Sequence, residues 1–216
     1  MSARRIHLVR HGEVHNPQGV LYGRLDGFPL SDFGHSMAAA SAEYAKDWPI
    51  VRLHASPLER AQQSATPWSE RFDLPIQTEP RIIEPHNRFQ GKSFEAGPKV
   101  ILHPKAWPLV RNPFKPSWGE AYALIAERMV AAMEDAWDAQ FEDGSDGHIA
   151  MVSHQLPIWT THRFLGGEKL WHDPRKRRCA LSSITSFERR ADGTFFEVAY
   201  ADPAAPLGKA RDLGAV

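Results

Sequence analysis

The chain of 216 residues has one cysteine, Cys179. That excludes an internal disulfide framework and cysteine-rich zinc sites, and it suits a reducing compartment. No apolar run approaches the roughly 20 residues of a membrane-spanning helix. A signal-peptide core is missing too, because Met1-Ser2-Ala3-Arg4-Arg5 leads directly into an apolar strand. The expectation is a cytoplasmic protein with no membrane partner. Charge of one sign is equally scarce. Lys plus Arg number 26 and Asp plus Glu number 26, a formal net charge of zero. The bulk balance therefore points to no nucleic-acid partner. No internal repeat is visible, and the 11 histidines are not read as a metal site.

What is present reads as one domain with an insertion. Apolar content is 42% and charged content 24%, ordinary for a globular protein. Ile6-His7-Leu8-Val9 is a short apolar strand that runs into Arg10-His11-Gly12-Glu13. Open α/β sheets keep their sites at such strand ends. A loop over 14–30 follows, broken by Pro17, Gly19, Gly23, Gly27 and Pro29. Ser31 then caps a helix whose apolar face is Phe33, Met37, Ala40, Tyr44 and Trp48, ended by Pro49. Residues 50–54 form a second strand. Ser56-Pro57 opens a helix to about Phe72, with Ser56 as its cap. Ile76-Gln77-Thr78 is a short extended piece.

Residues 84–118 change character, with six prolines among scattered lysines and arginines. A Pro-rich basic excursion of this length inside a domain reads as a lid. The longest helix is expected from Trp118 to about Phe141. Ile149-Ala150-Met151-Val152 is a buried strand ending on Ser153-His154, and a helix to Leu165 follows, stopped by Gly166-Gly167. Residues 181–187 and 195–200 pair as a hairpin. The Ala-, Pro- and Gly-rich tail, about 202–216, is expected to be loose. Alternating strands and helices predict an α/β sandwich on a mostly parallel sheet, made mixed by the terminal hairpin.

Two strands thus end on histidines, His11 and His154, which a parallel sheet places on one edge. Arg60 lies in the first turn of the helix after Ser56-Pro57. Two arginines, two histidines and a helix N-terminus make an anion site suited to a phosphoryl group. Each alone has an ordinary reading: Arg60 a solvated helix residue, His154 a core histidine, Glu84 a loop acid, Asn16 and Tyr22 loop structure. Arg175-Lys176-Arg177-Arg178 reads as a solvated basic loop.

Taken together, the motifs resemble those of the histidine phosphatase superfamily, which includes the cofactor-dependent phosphoglycerate mutases. The matching residues are Arg10-His11-Gly12-Glu13, Asn16, Tyr22-Gly23, Asp26, Pro29-Leu30-Ser31 and Ser56-Pro57-Leu58-Glu59-Arg60-Ala61. Glu84, Phe89-Gln90-Gly91 and Ser153-His154 complete the set. The resemblance implies a three-layer α/β/α sandwich, phosphoglycerate mutase-like, with an antiparallel strand added to a mostly parallel sheet. It implies that His11 becomes phosphohistidine, that Arg10, Arg60 and His154 clamp phosphoryl oxygens, and that Glu84 is the general acid and base. Asn16, Tyr22, Gly23 and Gln155 would bind substrate, with no metal and no cofactor. The chain departs from the pattern where Gln155 replaces the glycine after His154, and where Asn87 stands near a glycine place. Those departures leave Glu95 and Glu13 as alternative acids. The expected activity is hydrolysis of a small phosphomonoester. A phosphomutase is the alternative enzyme, and a non-catalytic phosphate- or partner-binding member the alternative class. A homodimer is compatible with the sequence but not decided by it.

Overall fold

The apolar N-terminal run becomes strand β1, Ile6–Arg10, buried along its whole length. The computed structural model in which it lies describes residues 4–87, 90–91 and 119–212. The expected lid falls largely outside the described residues, as do Phe89, Glu95 and Trp118. The remaining strands are β2 (Ile50–Ala55), β3 (Ile76–Thr78), β4 (His148–Ser153), β5 (Ile184–Arg189) and β6 (Phe195–Ala201). The helices are α1 (Asp32–Tyr44), α2 (Glu59–Phe72), α3 (Tyr122–Asp143) and α4 (Gln155–Leu165).

The described strands form one sheet in the order β3-β2-β4-β1-β5-β6. β3, β2, β4 and β1 pair in parallel, and β5 pairs antiparallel with both β1 and β6. Among the described strands, therefore, β5 alone points against the rest. This is the mixed sheet expected from the terminal hairpin.

Side chains alternate across the sheet and divide the core in two. Ile6 and Leu8 of β1 join Ile149 and Met151 of β4 under α3 and α4, with Ile125, Met129 and Met133 facing them. Val9, Ala150 and Val152 point the other way, against Ala61, Ala65 and Trp68 of α2 and Ala42 of α1. The result is a three-layer α/β/α sandwich.

Element ends differ from the sequence expectations in three places. Helix α1 stops at Tyr44, so Tyr44 is exposed and its buried side is Met37, Ala38, Ser41 and Ala42. Trp48 lies beyond the helix and stacks on His7, ring centroids 4.2 Å apart. Helix α2 begins at Glu59 with Leu58 at the cap position, not Ser56. The Ser56 hydroxyl accepts from the Leu58 N–H at 3.5 Å and is also hydrogen-bonded to His154 Nε2, at 2.7 Å. Helix α3 starts at Tyr122, four residues later than expected. The tail beyond β6 is tied down over 202–212: Ala204 is buried against Met37 and Leu181, and Asp212 pairs with Arg10. No helix among the described residues is long and apolar enough to cross a membrane.

Candidate active site

Parallel register builds the site. Arg10 closes β1 opposite Ser153, which closes β4. The next residues, His11 and His154, leave adjacent strands side by side, with ring centroids 5.2 Å apart. Ser56 follows the end of β2, and its N–H donates to the Val152 carbonyl at 2.9 Å. Gly12 is required by the backbone of α1. A Cβ there would stand 2.3 Å from the Gly34 carbonyl oxygen, and one on Gly34 would stand 2.0 Å from that of Glu13.

His11 Nδ1 lies 2.7 Å from the Gly12 carbonyl oxygen. A carbonyl only accepts, so Nδ1 carries the hydrogen and Nε2 keeps its lone pair. Burial, then the charges of Arg60 and Arg10, hold the pKa of His11 well below its ordinary value. His154 is held low in the same way, with burial first and Arg60 second. Both imidazoles are neutral near pH 7.

Arg10 is wholly buried. Its Nη1 donates to the Cys179 carbonyl at 2.7 Å and to Asp212 Oδ2 at 2.8 Å, and its Nη2 donates to Asp212 Oδ1 at 2.5 Å. Burial works against the charge of Arg10, but Asp212 outweighs it and the pKa is raised. Arg60, the second residue of α2, donates from Nη2 to the Gly23 carbonyl at 2.7 Å and lies 4.7 Å above the Tyr22 ring. This places Tyr22 and Gly23 at the arginine rather than in open loop. Gly23 has φ +41°, and a Cβ there would meet the Gln90 side chain at 2.7 Å.

Glu84 is buried, and its Oε2 lies 3.8 Å from His154 Nδ1. Burial pushes its pKa up to about 7, against the opposing pull of Arg60 and Arg177. Three carbonyls fix its segment: Arg128 donates to that of Arg81, Ser153 Oγ to that of Ile82 at 2.7 Å, and Arg24 Nε to that of Glu84 at 2.5 Å. Glu84 Oε1, His154 Nδ1 and Arg60 Nε are buried without a hydrogen bond among the described residues.

The structure thus gathers Arg10, His11, Arg60, Glu84 and His154. Asn16 uses its side-chain amide on its own loop, donating to the Val20 carbonyl at 2.8 Å and accepting from the Val20 N–H at 3.0 Å. Gln155 opens α4, accepting from Arg177 Nη1 at 3.1 Å and donating to Asp212 Oδ2 at 3.4 Å. Glu13 accepts from Ser31 Oγ at 2.7 Å and from the Arg211 N–H at 2.5 Å, which commits both its oxygens to structure.

Sequence reasoning gave Ser56 only a capping role, placed Arg177 in a solvated loop, and missed Ser64 and Asp212. Ser64 accepts from the Gly12 N–H at 3.0 Å and donates to the Arg60 carbonyl at 2.7 Å. Its i+4 spacing from Arg60 was the signal available. The basic run divides: Arg175 is exposed beside Asp173, whereas Arg177 turns inward to His172 and Gln155.

Two buried guanidiniums, two neutral imidazoles and a carboxyl whose pKa burial pushes up to about 7 thus cluster where the parallel strands β1 and β4 end. Residues 6–202 match the model of the histidine phosphatase superfamily (branch 1), and the chain belongs to that superfamily. It is 48% identical to the uncharacterized protein Rv0525 of Mycobacterium tuberculosis over 201 residues, 93% of this chain and 97% of that one. It is 30% identical to the glucosyl-3-phosphoglycerate phosphatase of Mycolicibacterium vanbaalenii over 164 residues, 71% and 70% of the two chains. A solved structure titled mycobacterial hydrolase 1 shares the fold, with TM-score 0.76, 23% identity, and 92% and 98% of the chains covered.

Proposed function

We propose that the protein is a phosphatase that hydrolyses a small phosphomonoester through a phosphohistidine on His11, without a metal. The observation that carries this reading is the hydrogen bond from His11 Nδ1 to the Gly12 carbonyl. It leaves Nε2 as an unprotonated nucleophile beside Arg10, Arg60 and His154.

The steps balance. The Nε2 lone pair attacks phosphorus, and the bond from phosphorus to the leaving oxygen breaks. Arg10 and Arg60 hold the phosphoryl oxygens as charge shifts onto them. Glu84, neutral because it is buried, gives its proton to the leaving oxygen. The resulting carboxylate then takes a proton from water as the water oxygen attacks phosphorus. The N–P bond breaks, phosphate leaves, and His11 returns to its neutral form. His154 joins the two halves, its ring beside His11 and its Nδ1 facing Glu84. Tyr22 and Gly23 support Arg60 where substrate binds, with Asn16 ordering the same loop and Gln155 lying beside Arg10's partner. Relatives named as phosphatases of small phosphorylated acids support a small-molecule substrate.

The test is turnover of p-nitrophenyl phosphate in excess chelator, comparing wild type with His11→Ala. Activity should survive chelation and fall by at least about 10³-fold in the variant. Activity unchanged by His11→Ala would overturn the mechanism. Acid-labile phosphate trapped on His11 gives the independent covalent readout.

A further inference from the structure

Asp212 touches the proposed machinery directly, yet the mechanism does not use it. Its two oxygens take both terminal nitrogens of Arg10, and Gln155 Nε2 approaches one of them at 3.4 Å. That fork-to-fork geometry is also how an arginine holds two oxygens of a phosphoryl group. The tail reaches this position along a defined path. Ala204 packs on Met37 and Leu181, with Ala210 beside them. The Arg211 N–H then donates to Glu13, the residue that also accepts from the cap of α1.

The two partners differ in environment. The Arg10 side chain is wholly buried, while that of Asp212 is 39% exposed. Leaving a buried guanidinium without an anion is costly, whereas a carboxylate at the surface returns to water readily. Arg10 therefore needs an anion at all times, and Asp212 is the one that can leave.

We propose that Asp212 is a built-in competitor, a tail carboxylate that fills the phosphoryl-binding fork of Arg10 in the free enzyme and is displaced by substrate. The proposal rests on reading Arg10 as a phosphoryl ligand. A site blocked by its own tail for most of the time binds every phosphoryl ligand more weakly by the fraction of open molecules. The tail thus sets apparent affinity, and it keeps Arg10 paired between turnovers.

The experiment compares the full chain with Asp212→Asn, using inorganic phosphate as probe in calorimetric titration at fixed ionic strength. The variant should bind phosphate about five- to tenfold more tightly, and its KM for p-nitrophenyl phosphate should fall by a similar factor. Asp212→Ala, which cannot accept a hydrogen bond at all, should move both quantities in the same direction. Thermal unfolding adds a control: the variants should melt below wild type without phosphate and match it at saturation. Phosphate affinity that is unchanged or weaker in both variants would overturn the proposal and leave Asp212 a fixed structural partner. Binding is read without turnover, so the two readings fail separately. Tighter phosphate binding with no turnover in any form keeps the tail proposal and sinks the phosphatase. Normal turnover with unmoved affinity does the reverse.

Discussion

In the proposed mechanism Glu84 and His11 need opposite protonation states, and burial favours both. Removing water disfavours charge on either group, so the carboxyl keeps its proton and the imidazole loses its own. The acid should therefore fail as pH rises. Activity toward p-nitrophenyl phosphate is expected to decline through about pH 7, where Glu84 deprotonates. Glu84→Gln should flatten that limb while lowering the rate by about 10²-fold or more. A pH profile with no alkaline limb near 7, or one untouched by the substitution, would remove Glu84 from the role. At this scale the sequence was most readable where chemistry is contiguous. Arg10, His11 and Gly12 are adjacent, and Arg60 follows Ser56-Pro57 at a short fixed spacing. Asp212 was not readable, because it meets Arg10 across 202 residues with no local pattern to announce it. Arg177 was hidden differently, since a run of four basic residues does not tell which one turns inward.

Helix α1 is anchored at its N-terminus through a few short contacts. Ser31 caps it by accepting from the Gly34 N–H, and the same hydroxyl donates to Glu13. Gly12 and Gly34 let the backbones of strand end and helix touch. Gly12→Ala would push a methyl group into the Gly34 carbonyl, where backbone rather than a flexible side chain must yield. The expected loss is about 1–3 kcal/mol in urea unfolding, with activity reduced as His11 shifts. A stable, fully active alanine variant would mean that this contact relaxes freely. Strand positions, the Ser31 cap and helix types were legible from period and punctuation. Helix starts were less so. Ser56-Pro57 has the signature of a cap, and its hydroxyl does accept from the Leu58 N–H at 3.5 Å, but it is also bound at 2.7 Å to His154, a residue 98 positions away that is invisible to a local rule.

Among the described residues, His7, His11, His54, His154 and His172 all have lowered pKa values, with burial the first cause in each case; that of His54 is about 4. The unfolded chain therefore binds more protons than the native one below pH 6.5, and stability is lost as pH falls from there. Glu84 acts with the opposite sign: its contribution is complete below its unfolded value and is lost as pH rises through about 7. It is one group against five, so urea unfolding should show stability dropping by several kcal/mol from about pH 6.5 to 5. A flat profile would mean that these histidines are not neutral when folded. The sheet order carries a consequence for synthesis. β1 precedes the other described strands along the chain, yet it lies between β4 and β5, which begin at His148 and Ile184. At translation speeds of about 5–20 residues per second, roughly 10 to 40 s pass before both neighbours exist. Until β4 is made, the apolar segment with Ile6, Leu8 and Val9 has no partner strand on either side, and until β5 is made one edge still lacks its partner, a template for pairing with other chains. The strand that leads into His11, the proposed nucleophile, is thus the one that a nascent-chain chaperone has most reason to shield.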